Sequence, residues 1–213
     1  MSSAHPPITF VEYERLFRVI HGVLLHSALD PAQASLFFAV AGAFILKRQH
    51  KLLSANPVAG AAAYALPAPA TAPLCFGRQE DDALVVDAAH PHCWIEADGW
   101  IIDLCAPLFD AHLGPTQKTK PFPPCMFQHP AMPGSTLATL NTPGAALHRA
   151  DDKLTTALLK EFSETPAYAD LVRLCALWYA RPPKKLAPAL GLADAQNRTQ
   201  TIPLSPLRLA GAL

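Results

Sequence analysis

The chain has 213 residues, seventeen Lys and Arg against seventeen Asp and Glu, a formal net charge of zero and 51% hydrophobic residues. No block of five or more like charges occurs, so the concentrated positive field that phosphate binding needs is missing, which argues against a nucleic-acid or membrane-surface partner. The longest strongly apolar run, Leu36 to Leu46, is well short of the about 18 to 20 residues that span a bilayer, and Met1 to Pro7 has neither the basic nor the apolar part of a secretory signal.

Thr9-Phe-Val-Glu12 reads as a capping box, with Ile8 and Tyr13 placed to staple the entry to an amphipathic helix running to about Leu25. After the Asp30-Pro31 turn, Ser35 to about Arg48 is apolar on nearly every side, the pattern of a buried central helix. An Ala-rich segment around Gly60 to Leu66 is a strand candidate, a Pro-containing loop from Pro67 to Pro73 follows, and Leu84-Val85-Val86 reads as a short strand.

His92 to Cys105 carries two strand-like runs around Asp98-Gly99, a dipeptide that accepts the positive φ values of a two-residue hairpin turn. That turn sets Ala97 opposite Trp100, Glu96 opposite Ile101, Ile95 opposite Ile102, Trp94 opposite Asp103 and Cys93 opposite Leu104. Cys93, Ile95, Ala97, Trp100, Ile102 and Leu104 then form a core face. The other face carries His92, Trp94, Glu96, Ile101, Asp103 and Cys105.

Six prolines between Pro115 and Pro133 predict a long ordered surface loop at 115–133. Helices are expected over about Asp152 to Phe162 and Pro166 to Ala180, the second capped by Thr165 with Pro166 in its first turn. The tail 182–213 reads as irregular, with at most one short strand near Thr201 to Leu204. Five cysteines without CxxC pairs fit reduced thiols, and with them a cytoplasmic setting and a single domain over 1–213.

On the polar face of the hairpin, His92 and Asp103 are diagonal neighbours within reach of a hydrogen bond. A carboxylate on one imidazole nitrogen fixes the tautomer and raises the basicity of the other, which is what acyl-transfer chemistry uses. A solvated His and Asp pairing casually would be the commoner outcome of such spacing, but the wholly apolar opposite face fixes the register, and Trp94 stands where it would exclude water.

The string His92-Cys-Trp94-Ile-Glu96-Ala-Asp-Gly-Trp-Ile-Ile-Asp103 resembles the His-x-Trp-x-Glu…Asp signature of the papain/transglutaminase-like cysteine-hydrolase superfamily. Within it the chain is similar, over nearly its whole length, to an uncharacterised bacterial domain-of-unknown-function family. The resemblance implies an α+β fold with a central buried helix packed on an antiparallel sheet and C-terminal helices. It also implies a nucleophilic Cys at the start of the buried helix, and laying the pattern on Ser35 to Lys47 and Val58 to Gly60 puts Ser35 in that place.

A hydroxyl has a far higher pKa than a thiol near about 8.5, so Ser35 should be a poor nucleophile. Three readings follow in order: a Cys-to-Ser substituted, inactive form; a native serine variant; a native binding module that keeps the cleft without catalysis. At a helix N-terminus Ser35 would feel the positive dipole end and lend its N–H to an oxyanion, with Gln33 or a solvated turn as equal readings of the neighbouring position. Cys105, opposite His92 on this reading, is a lesser candidate nucleophile. His90 and His92 lack further ligands in any metal-binding spacing, so no metal or other cofactor is expected. The stretch Phe122 to Phe127 either lines a substrate groove or covers a core edge. The expected reaction is hydrolysis or transfer of an amide or peptide acyl group on a peptide, amide or protein substrate, with Ser35, His92 and Asp103 as catalytic positions and Gln33 and Trp94 beside them.

Overall fold

The computed structural model describes residues 5–213 apart from 28, 82, 133–135, 181–185, 194 and 195. Met1 to Ala4 of the N-terminal segment read as lacking a secretory signal, Pro133 at the end of the expected loop and the start of the tail at 182–185 therefore lie outside the described residues. Helix α1 spans Phe10–His26, and its capping box is complete: Thr9 accepts from the Glu12 amide while the Glu12 carboxylate accepts from the Thr9 amide at 2.8 Å. Ile8 and Tyr13 are both buried at its entry.

Helix α2, Ser35–Gln49, is buried along most of its length. Gly42 lets it lie close on the sheet, because a Cβ there would come 2.4 Å from Leu104 Cδ1 and 2.7 Å from Ile95 Cδ1. The remaining elements follow in chain order: β1 Asn56–Tyr64, β2 Leu74–Phe76, β3 Arg78–Glu80, β4 Ala83–Val85, β5 His92–Ala97, β6 Trp100–Asp103, β7 Cys125–Pro130 and β8 Ala146–Ala150, then helices α3 Asp152–Ser163 and α4 Pro166–Ala180, then β9 Ala189–Ala193, β10 Thr199–Pro203 and β11 Gly211–Ala212.

The main sheet has the order β11-β7-β6-β5-β1-β2, with β8 also on β1, and only the β11–β7 pair is parallel. Gly60 pairs with both His92 and Ala150, and Ala62 pairs with both Phe76 and His148. β5 and β2 therefore share one edge of β1 end to end, and β8 holds the other edge. One sheet face, with Cys93, Ile95, Ala97, Ile102 and Leu104, packs on the helices through Phe17, Phe38, Ile45 and Trp178. The opposite face, with Ala62, Tyr64, Trp94, Ile101 and Phe127, packs on Phe109, Leu113 and Phe122. This is an α+β architecture on a mostly antiparallel sheet.

Three expectations change. The segment 115–133 is not loop throughout, since β7 pairs Trp100–Asp103 with Phe127–Pro130 and supplies the sheet's next strand. Prolines 121, 123 and 124 precede that strand, and Pro130 ends it, so proline density marked its borders and not its absence. The tail is more regular than its composition suggests, as β9 and β10 form a hairpin and β11 adds to β7. Thr165 does not reach forward to cap α4; its hydroxyl donates back to the Glu161 carbonyl at 3.4 Å. Among the described residues no helix is long and apolar enough to cross a membrane.

Candidate active site

The site begins with a turn. Asp98 and Gly99 take φ values of 49° and 79°, and the pairs Ile95–Ile102, Glu96–Ile101 and Ala97–Trp100 close the β5–β6 hairpin in the register that a two-residue turn dictates. The ladder stops one pair short of Asp103, which pairs with Phe127 on β7. From there its side chain reaches diagonally to β5, and His92 Nε2 lies 2.7 Å from Asp103 Oδ2.

Asp103 is fully buried, and its carboxylate is met from three sides. Oδ2 also accepts from the Tyr64 hydroxyl at 2.6 Å, and Oδ1 accepts from the Cys105 amide at 2.8 Å. Its backbone carbonyl accepts from the Tyr13 hydroxyl, so α1 is tied to the same strand end. Burial alone pushes the carboxyl pKa up; the imidazole charge and the hydrogen bonds from His92, Tyr64 and the Cys105 amide outweigh it and hold the group below the ordinary carboxylate range.

His92 is 2% exposed, its ring stacked on Phe76 at 4.0 Å and 12°. That contact follows from the end-to-end placing of β2 and β5 along β1. Tyr64 and Phe109 approach the ring at 6.1 and 6.4 Å, and Trp94 lies 6.5 Å away. With Nε2 engaged by Asp103, Nδ1 carries no hydrogen bond among the described residues.

Ser35 sits at the first turn of α2, whose N-cap, Ala34, offers no side-chain acceptor to the exposed amides. The contacts Ser35–Cys93 and Gly42–Ile95 show that α2 begins at the end of β5 where His92 stands. Its hydroxyl, however, lies close enough to the Cys93 thiol, on the helix-packed face, to favour the thiolate there, whereas the imidazole lies among the aromatic rings of the other face. The structure thus joins His92 to Asp103 and sets Ser35 beside Cys93. Burial pushes the Cys93 thiol up to about 12, against the lowering effect of the Ser35 hydroxyl.

Gln33 is exposed in a short 3-10 turn over Pro31–Gln33 and lines a cavity of about 280 Å³ with Phe37, Phe162 and Tyr168. Trp94 is fully buried, its indole N–H donating to Glu96 at 3.1 Å, which anchors the exposed Glu96 carboxylate. Cys105 does not face His92. The chain turns at Leu104, immediately after β6, and carries Cys105 into the helix-side core, where burial raises its thiol well above the ordinary value. His90 is exposed and its ring nitrogen lies 3.2 Å from Asp87. Phe122, Cys125 and Phe127 are buried in the sheet's second core, so that stretch covers a core edge.

Sequence reasoning missed Tyr64, Tyr13, His148 and Phe76. His148 Nε2 lies 3.1 Å from the Tyr64 oxygen, and burial lowers the His148 pKa to about 3. A phenol closing a run of alanines was the visible signal for Tyr64, but its aim at Asp103 depends on the β1–β5 register, which no local pattern encodes.

The chain belongs to the family described as "Protein of unknown function (DUF2026)", whose pattern matches residues 9–213. It is also similar to a solved structure described as "The crystal structure of genomics APC5867", with 32% identity, 99% of each chain covered and a TM-score of 0.83. No curated protein was found to be similar to it.

Proposed function

We propose that the chain has the papain/transglutaminase-like fold and a cysteine-hydrolase-like site for amide or peptide acyl groups, with Ser35 in the place of the nucleophilic thiol. The observation that carries this reading is the buried His92–Asp103 pair at 2.7 Å, with the second ring nitrogen open. An ionised carboxylate on Nε2 makes Nδ1 the base. The start of α2 beside the first residues of β5 supports position 35 as the nucleophile's place, and the uncapped amides of that turn suit an oxyanion.

In the active form, the position-35 proton passes to His92 Nδ1 as the side chain attacks the acyl carbon. The C–N bond breaks, the imidazolium protonates the leaving amine, and water or a second amine then releases the acyl group. The position-35 side chain must turn from Cys93 toward the imidazole for this to happen, and a hydroxyl at that place is a weak nucleophile. The Ser35 protein is therefore inactive or slow. A second reading rests on the serine itself: a binding module that keeps the cleft and has lost the chemistry.

The test is thiol labelling of the Ser35→Cys protein. One additional thiol should react with iodoacetamide at or below neutral pH, and His92→Ala should remove that reactivity. Alkylation no faster than that of a free thiol would overturn the enzymatic reading in favour of the binding module.

A further inference from the structure

The line His148–Tyr64–Asp103–His92 holds few protons, and their placement can be worked out. The Tyr64 oxygen has one hydrogen, and at 2.6 Å from an ionised carboxylate, which only accepts, that hydrogen belongs to Asp103 Oδ2. His148 Nε2, 3.1 Å from the same phenolic oxygen, must then be an N–H donor. In the other tautomer two acceptors would compete for a single hydrogen. The His148 ring is enclosed by Trp94, Tyr64 and Phe127 at 4.9, 5.4 and 5.9 Å, and among the described residues no other N–H or O–H donates to Nε2 to relieve that conflict. His148 also lines a cavity of about 220 Å³ with Glu96, Ile101 and Met132, so the outer end of the line stands beside open space.

We propose that His148 and Tyr64 are positioning residues for His92: the His148 Nε2–H turns the Tyr64 proton onto Asp103, and the carboxylate so held keeps His92 protonated at Nε2 with Nδ1 open. The role in catalysis rests on the acyl-transfer reading above; the arrangement of protons does not. Neither residue touches the reacting atoms.

The full chain, with Ser35 in place, is labelled with 15N and 13C. Nitrogen spectra above the ordinary histidine range should show His148 as the Nε2–H tautomer, and the Asp103 carboxyl signal should titrate below the ordinary carboxylate range. Tyr64→Phe should raise the Asp103 midpoint by about one pH unit, a tenfold change in acid dissociation, because a hydrogen bond to the charged form is lost. His148→Phe should move it in the same direction, and His148→Gln, whose amide N–H can replace the donor, should restore it. An Nδ1–H tautomer for His148, or an Asp103 midpoint indifferent to both Phe variants, would overturn the proposal. If a variant does not fold, the His148 tautomer in the unaltered protein decides alone. Failed thiol labelling with these spectra as expected would remove only the enzymatic reading, and the converse only this one.

Discussion

Replacing Asp103 by Asn tests the physical core of the site without changing its shape. The carboxylate accepts from the His92 ring, the Tyr64 hydroxyl and the Cys105 amide in a fully buried place. Hydrogen bonds to a charged group contribute about 1.5 to 3 kcal/mol each. Asn keeps one oxygen, which suits the Cys105 amide, but turns an N–H₂ toward two donors. Two bonds are lost, about 3 to 6 kcal/mol, in line with the about 3 to 5 kcal/mol that follows removal of one partner of a buried ion pair. In urea the midpoint should fall by about 1 to 3 M with an unchanged slope. The pH dependence gives a second check. The folded Asp103 pKa is depressed, so its contribution is complete above the unfolded value near about 4 and is lost as pH falls through the lower folded value. The gap between the two proteins should hold from neutral pH down to about 5 and close below about 4. A neutral-pH loss under about 1 kcal/mol would refute the claim that the carboxylate is ionised and fully used.

Other outcomes follow from packing and burial. Gly60→Ala should cost more than about 3 kcal/mol by urea unfolding, since its Cβ would lie 2.0 Å from the Arg149 carbonyl oxygen, a backbone atom of the paired strand. Gly42→Ala meets only the ends of Leu104 and Ile95, and should cost no more than about 2 kcal/mol after the helix gain from Ala, read the same way. In the folded protein a thiol reagent should label Cys75, which is half-buried, well before the buried Cys93, Cys105, Cys125 and Cys175; a fast Cys105 lost on His92→Ala would point to a different nucleophile. Burial lowers the His21 pKa to about 4, so the unfolded chain binds the extra proton and stability should fall as pH drops from about 6.5 to about 4. His21→Phe, which removes the bond to Ser205 Oγ at 2.7 Å along with the titration, should lose stability at neutral pH but show a flatter profile across that window.

The readable parts of this fold were those fixed within a few residues. The α1 cap, the unbroken apolar run of α2 and the Asp98-Gly99 turn each state their geometry locally, and the turn carried the hairpin register as far as Ile95–Ile102. Strand β7 was hidden because its evidence is its pairing with Trp100–Asp103, while the prolines that border it speak against a strand. The β9–β10 hairpin and β11 were hidden for the same reason, their order coming from partners far along the chain.

The site divides along the same line. His92 and Asp103 belong to one hairpin, so a local turn brings them within 2.7 Å. Tyr64, Tyr13, Phe76 and His148 arrive from four other segments, and only the sheet order puts them there. Alternation also misled at Cys105, because it holds only while the chain remains a strand, and the turn after Asp103 moves that thiol to the other core. Ser35 is the test of what the sheet separates. The hydroxyl lies by Cys93 on one face, and the imidazole is held by Asp103 on the other. Chemistry at position 35 therefore requires that side chain to turn from Cys93 toward the imidazole, and the Ser35→Cys protein measures whether it does.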